Sequence, residues 1–259
     1  MNIYERNKIV FDETREISMK QLIEATNNMR SNVKVYTNPL GGVVENEHRD
    51  MKVEFNRNDT ISTTIDLISQ GYHVCALNFA DAVIPGGLVF QGEITQEEDL
   101  CRCSNLYESL IEPKCIDAYY SYNSDLTSCK YSDRIIYSKD VAIIRESSEY
   151  KLLDKPLLCD ILTCPAPVAT MGEKEYTSII TQRIRGILNI MSANGADALV
   201  LGAWGCGAFW GDARIVGKVF ADALKEFKNF DLVVFSIKST KNDYKDNFDL
   251  FRGGFYNAD

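Results

Sequence analysis

Four near-continuous apolar runs of strand length constrain this chain most: 73–79 (HVCALNF), 157–163 (LLCDILT), 198–203 (ALVLGA) and 231–237 (DLVVFSI). A run with so few polar interruptions suits a strand covered on both faces, as in the sheets of α/β proteins. Stretches of helical period stand between them. Residues 60–70 put Ile61, Ile65 and Ile68 on one side behind a capping Asp59, and 173–194 carry Ile179, Ile180, Ile184, Ile187, Leu188 and Met191. Asp212 opens a third, through Ile215, Val219, Phe220 and Leu224. Connections of that length argue for a mainly parallel or mixed sheet sandwiched by helices.

The remaining elements are weaker. A helix is expected over 14–30, with Thr14 as cap and Ile17, Leu22, Ile23, Ala25 and Met29 as its stripe, then short strands at 33–36 and 51–55. Asn38-Pro39-Leu40-Gly41-Gly42 is turn chemistry. Residues 99–110 read as a helix on Leu100, Leu106 and Leu110, and the tyrosine-rich 115–133 as an irregular covering segment whose aromatics either line a pocket or, the favoured reading, pad a surface. Residues 135–137 and 141–144 read as a hairpin around Ser138-Lys139-Asp140, and 243–252 as a closing helix. With no repeat or linker, the 259 residues are expected to form one domain.

A formal net charge of −9 opposes a general nucleic-acid or anionic-membrane binder, and no segment has the length and apolarity of a bilayer span. The cytoplasm is the expected compartment, with the eight cysteines reduced. Cys101 and Cys103 are the only close pair, and residues two apart on a helix face different ways, so no shared metal is expected.

Chemistry concentrates at two loops. The first leaves the run 73–79, turns through Pro85-Gly86-Gly87 and delivers the adjacent carboxylates Glu97 and Glu98. The second leaves the run 198–203 as Trp204-Gly205-Cys206-Gly207-Ala208-Phe209-Trp210-Gly211 and enters the helix opened by Asp212. A strand, a glycine loop and a helix in that order place free N–H groups and the positive end of a helix dipole together, which suits a phosphate. Open α/β sheets bind ligands in the crevice at their strands' C-terminal ends. On spacing alone, two tight turns with solvated carboxylates explain the pattern equally well.

Neither a P-loop nor a G-x-S-x-G nucleophile elbow is present, and His48 and His73 are the only histidines, the latter expected to be structural. Cys206, in a loop of backbone donors, stays open as a thiolate.

The order of the motifs Asn78-Phe79-Ala80, Pro85-Gly86-Gly87, Gln96-Glu97-Glu98, Ser104-Asn105-Leu106-Tyr107, Ile136-Tyr137-Ser138, Pro165-Ala166-Pro167 and Gly205-Cys206-Gly207-Ala208-Phe209 resembles that of the microbial-type poly(ADP-ribose) glycohydrolases, a branch of the macro domain superfamily. The resemblance implies a macro-domain-like three-layer α/β/α sandwich with a mixed central sheet, residues 1–70 forming an N-terminal α/β extension of a single catalytic domain. It implies Glu98 as catalytic acid, Glu97 holding the substrate ribose, Gln96 setting the loop, Gly205, Cys206, Gly207, Ala208 and Phe209 wrapping the diphosphate, and Phe209 pressing on the ribose. Asn78, Phe79, Ala80, Gly86, Gly87 and Leu88 complete the implied ADP-ribose site. The expected partners are ADP-ribose or ADP-ribosylated substrates, with no cofactor, no metal, no membrane and no sequence-specific nucleic acid; a monomer is expected.

One position departs from the family pattern. Its third consecutive glycine is Leu88 here, whose side chain is expected to narrow the pocket or push the loop outward. Two other readings accompany cleavage of the polymer: a mono-ADP-ribosyl hydrolase acting on protein, nucleic-acid or small-molecule conjugates, and a module that binds ADP-ribose without cleaving it.

Overall fold

The chain is described from a computed structural model covering residues 1–41, 49–126, 128–238 and 246–257. Gly42, His48 and positions 243–245 of the expected closing helix lie outside the described residues. Asn2 and Glu5 form a capping box that starts α1 (Ile3–Lys20), which is followed by α2 (Ile23–Asn32). These replace the single helix expected over 14–30. The inward stripe of α1 is Asn7, Val10, Phe11, Thr14 and Ser18, three of them polar, so apolar periodicity could not locate it. Thr14 is buried mid-helix and caps nothing.

β1 (Lys34–Tyr36), β2 (Lys52–Asn56), α3 (Thr60–Ser69) and β3 (Val74–Phe79) follow. Asp59 caps α3 by accepting from the Ser62 N–H at 2.7 Å. The helix turns Ile61, Thr64 and Leu67 fully inward, leaving Ile65 and Ile68 partly buried. A 3-10 turn, Val89–Gln91, leads to α4 (Gln96–Cys103), α5 (Leu106–Leu110), α6 (Pro113–Cys115), a π-helical turn at Ile116–Ser121 and α7 (Tyr122–Ser124). Tyr119 and Tyr120 on that turn are core residues rather than surface padding. Then come β4 (Ile135–Arg145), β5 (Leu152–Cys164), α8 (Glu173–Ala193), β6 (Ala198–Leu201), α9 (Ala213–Leu224), β7 (Leu232–Ser236) and α10 (Asn247–Tyr256).

Two further expectations are corrected. The helix over 99–110 breaks at Ser104 because Asn105 is stitched to β4: its N–H donates to the Ala142 carbonyl (3.2 Å) and its Oδ1 accepts from the Ala142 N–H (2.8 Å). The hairpin at 138–140 is a bulge within one strand. Asp140 takes a left-handed φ of 56°, absorbing the irregularity without reversing the chain, and β4 pairs with β5 on both sides of it.

The strands form one seven-stranded mixed sheet in the order β1-β4-β5-β3-β6-β7-β2, antiparallel at β1–β4 and β4–β5 and parallel elsewhere. Its two faces bury different side chains of the same strands. Cys75 and Leu77 of β3 pack with Ile180, Ile187, Phe220 and Phe251 from α8, α9 and α10. Val74 and Ala76 pack on the other face with Phe11, Met29, Ile61 and Leu100 from α1 to α4. Burial on both faces accounts for the near-continuous apolarity of 73–79 and makes the molecule a three-layer α/β/α sandwich. No helix among the described residues is long and apolar enough to cross a membrane.

At the N-terminal end of β3, His73 locks the strand to its neighbours. Nδ1 meets the Gly195 carbonyl at 2.9 Å, and Nε2 meets Asp160 at 2.8 Å, a carboxylate that also accepts from the Tyr137 hydroxyl. Both ring nitrogens face acceptors, so the imidazolium satisfies them best. Partial burial opposes the charge, but Gly195, Asp160 and Asp197 outweigh it and raise the His73 pKa. A raised folded-state value means this stabilisation is full below the unfolded value of about 6.5 and fades as pH rises through the folded one. Melting curves from about pH 6 to about 8.5 are therefore expected to converge for wild type and His73→Asn as pH increases. A constant gap would dismiss the linkage.

Candidate active site

β5, β3 and β6 lie side by side and parallel, so the segments leaving their C-terminal ends are neighbours. The close approach of the Phe79 ring to Gly202, where an added Cβ would sit 2.9 Å from the ring, brings the roots of the two glycine loops together.

In the first loop Asp81 sets the turn, its Oδ1 accepting from the Val83 and Ile84 N–H groups at 2.7 and 2.8 Å. Gly86 and Gly87 follow with φ of 71° and 58°, values that L side chains resist. Gly87 has a second reason to be glycine. A Cβ there would lie 2.5 Å from Glu98 Oε1 and 3.2 Å from Glu97 Oε2, so both carboxylates border its bare Cα. Leu88 returns to φ −97°, open to any residue, and its N–H donates to Glu98 Oε1 at 2.9 Å. The leucine therefore does not push the loop away from Glu98; its side chain stands partly exposed.

Gln96, Glu97 and Glu98 are the first three residues of α4, where the helix dipole favours carboxylates. Successive residues on a helix point about 100° apart, and these diverge. Gln96 Oε1 accepts from the Phe79 N–H (2.8 Å), and its Nε2 donates to the Leu77 carbonyl (2.8 Å) and the Thr60 hydroxyl (3.1 Å), pinning α4 to the end of β3. Glu97, 2% exposed, accepts from Asn78 Nδ2 (3.1 Å) and the Asp81 N–H (2.7 Å). Burial pushes its carboxyl well above the usual range; those two donors oppose the shift, and the charges of Glu98 and Asp81 reinforce it. Glu98, 4% exposed, is held by the Leu88 N–H and the Thr95 hydroxyl.

α1 braces this loop from outside. Asn7 Nδ2 donates to the Gly92 carbonyl at 2.8 Å, and the Gly92 Cα lies so close to Tyr4 that a Cβ would be 2.2 Å from the Tyr4 carbonyl oxygen. Phe11, Phe90 and Tyr107 form an edge-to-face cluster whose Tyr107 ring abuts Gly86.

The second loop consists of two consecutive β-turns. The Ala203 carbonyl accepts from the Cys206 N–H (3.1 Å), with Gly205 at φ 78° in the position where a type II turn needs positive φ. The Gly207 carbonyl then accepts from the Trp210 N–H (3.0 Å). The Gly205, Gly207, Ala208 and Phe209 N–H groups have no partner among the described residues, leaving a row of backbone donors of the kind that binds anions. Beneath the loop, Trp204 Nε1 donates to the Cys164 carbonyl at 3.1 Å, and Gly211 leaves room for the hydroxyl of the buried Tyr176. Cys206 is buried, its Sγ facing the Trp204 carbonyl at 3.6 Å, and burial pushes its thiol far up, so the thiolate reading falls away. Among the described residues no group of three His, Cys, Asp or Glu could hold a metal.

The sequence-derived site residues lie on these two loops, at their strand ends or, for Gln96, Glu97 and Glu98, on the first turn of α4, with Ala80 fully buried between β3 and Asp81. Sequence reasoning does not find Asp81, Thr95, Thr60 or Thr163, whose hydroxyl accepts from Asn78 Nδ2 at 3.2 Å. Thr95-Gln96-Glu97-Glu98 has the T-x-x-E form of a helix start, which could have found Thr95.

A family model described as microbial-type PARG, catalytic domain, matches residues 1–146, which contain the whole first loop. The chain belongs to this family. Solved poly(ADP-ribose) glycohydrolase structures extend the similarity over the second loop. The Thermomonospora curvata enzyme shares 26% identity over 97% of this chain and 100% of its own, with a TM-score of 0.89. The same enzyme bound to the inhibitor ADP-HPD gives 26%, 96%, 98% and 0.85 in the same order. The Deinococcus radiodurans glycohydrolase in complex with ADP-ribose gives 29%, 90%, 96% and 0.78. A comparison with curated protein sequences found no match.

Proposed function

We propose that this protein hydrolyses the ribose–ribose glycosidic bond of poly(ADP-ribose) and releases ADP-ribose, with Glu98 as general acid and then general base. The observation that carries the reading is the Glu98 carboxylate, buried against Gly87 at the exit of β3, with the loop leaving the neighbouring β6 offering four N–H groups that have no partner among the described residues. Glu98 protonates the leaving ribose oxygen as the anomeric C–O bond breaks through an oxocarbenium-like transition state. The resulting carboxylate takes a proton from water as the water oxygen bonds to the anomeric carbon. Glu97, anchored by Asn78 and Asp81, holds the ribose hydroxyls, and Gln96 keeps the start of α4 on β3. The Gly205–Phe209 amides take the diphosphate, Phe209 covers the ribose, and Asn78, Phe79, Ala80, Gly86, Gly87 and Leu88 form the opposite wall.

Leu88 favours a second reading. Its N–H bonds Glu98 while its side chain stands partly exposed, and an isobutyl group in place of glycine at this position of the wall suits a smaller leaving group than a polymer. Cleavage of single ADP-ribose units from protein, nucleic acid or small molecules uses the same chemistry. Seven of the eight unpaired cysteines are buried and Cys129 is exposed, which supports a reducing compartment such as the cytoplasm.

The test is to incubate the protein with poly(ADP-ribose), singly ADP-ribosylated protein and singly ADP-ribosylated DNA, identifying released ADP-ribose by mass. Release from the polymer is expected. Release from the singly modified substrates alone selects the second reading, and binding without release from any substrate makes the protein an ADP-ribose-binding module.

A further inference from the structure

The N–H row of the second loop is only as useful as the orientation of its peptides, and one peptide is held from outside the loop. Asn247, the first residue of α10, donates from Nδ2 to the Cys206 carbonyl at 3.3 Å. No cis peptide occurs among the described residues, so the Cys206–Gly207 unit is trans, with its N–H opposite its carbonyl. Fixing the carbonyl toward α10 therefore turns the Gly207 N–H the other way. The Gly207 N–H has no partner among the described residues, and the space about its Cα is uncrowded by them, since an added Cβ would meet nothing within 4 Å. The next peptide is fixed within the loop, because its Gly207 carbonyl is taken by the Trp210 N–H.

Asn247 is itself well placed to act as an anchor. Asp246 caps α10 by accepting from the Phe248 N–H at 3.1 Å. Arg57, just beyond β2, pairs with Asp246 at 2.8 Å and Asp249 at 3.2 Å and lies 4.1 Å over the Phe248 ring. The first turn of α10 is thus fixed by contacts that do not involve Asn247, and its amide is delivered to Cys206 already oriented.

We propose that Asn247 is a positioning residue for anion binding: by holding the Cys206 carbonyl, it aims the Gly207 N–H at the diphosphate of ADP-ribose. This rests on the ADP-ribose reading above. Without the anchor the peptide can rotate, and an oriented donor to a charged oxygen is lost, an effect of about tenfold in affinity.

Calorimetry on the full chain tests this with two ligands, ADP-ribose and adenosine, which lacks phosphate. Asn247→Leu, which keeps the side-chain size but has no donor, is expected to bind ADP-ribose about tenfold more weakly, with adenosine affinity and melting temperature close to wild type. Asn247→Gln, which keeps a donor, is expected to recover part of the loss. Unchanged ADP-ribose affinity in Asn247→Leu overturns the proposal, as does equal weakening of both ligands, which marks a general structural role. If wild type itself fails to bind ADP-ribose, the functional reading fails and takes this inference with it; normal wild-type binding with an unaffected variant removes the inference alone.

Discussion

Glu98→Gln is expected to retain ADP-ribose binding within about threefold while losing about 10² or more of the hydrolytic rate. The geometry makes this substitution clean. Glutamine keeps the oxygen that accepts from the Leu88 N–H at 2.9 Å, and its amide can donate to Thr95, whose hydroxyl serves as acceptor as readily as donor. Side-chain position, loop path and helix start are then preserved, and only the transferable proton is removed. Single-turnover release of ADP-ribose, with binding measured by calorimetry on the same preparation, separates the two quantities. A variant that turns over at the wild-type rate would remove Glu98 from the mechanism. One that loses binding and hydrolysis together would make the carboxylate a structural anchor of the Gly87–Leu88 turn.

The neighbouring carboxylates are separated by environment rather than by distance along the chain. Glu97 points back to the end of β3, where burial raises its pKa against the pull of the Asn78 and Asp81 donors. Glu98 points across Gly87 to the Leu88 N–H. Different surroundings for two nearby carboxyls are the usual means of dividing labour between them, and here the division follows from adjacent positions on the first turn of a helix.

The parallel heart of the fold was legible because its strands are buried on both faces: β3, β6 and β7 lie within the apolar runs at 73–79, 198–203 and 231–237. The two loops were legible because glycines and carboxylates stand at strand exits. What stayed hidden depended on polar side chains facing inward. α1 could not be placed because Asn7, Thr14 and Ser18 occupy its buried stripe, serving carbonyls at Gly92, Arg102 and Thr14 itself. Likewise, the α4–α5 break is made by Asn105 bonding to Ala142 on a distant strand, and the bulge in β4 is held by Asp160 accepting from the Asp140 N–H at 2.9 Å. Such long-range hydrogen bonds leave no periodic trace in the chain. The divergence of Glu97 from Glu98 could be expected from their adjacency, but the part of Gly87 in keeping a space between them could not.

That space supports the second large prediction. Gly87→Ala is expected to lower turnover by about 10² or more, because displacement of a catalytic group by about 1 Å has that scale of effect. A methyl at 2.5 Å from Glu98 Oε1 forces movement, and the carboxylate has little room: it is 4% exposed and held by both Leu88 and Thr95. The substitution also places a side chain at φ 58°, a backbone cost of about 1 kcal/mol that lowers stability without touching chemistry. Gly71→Ala separates the two effects. Gly71 has φ 93° and nothing within 4 Å of an added Cβ, so it incurs the backbone cost alone. Both variants are expected to melt a few degrees below wild type, and only Gly87→Ala to lose activity at temperatures where both are folded. Full turnover in Gly87→Ala would mean that Glu98 can yield without consequence, and equal losses in the two variants would assign the effect to stability, not to the space that glycine keeps open beside the carboxylate.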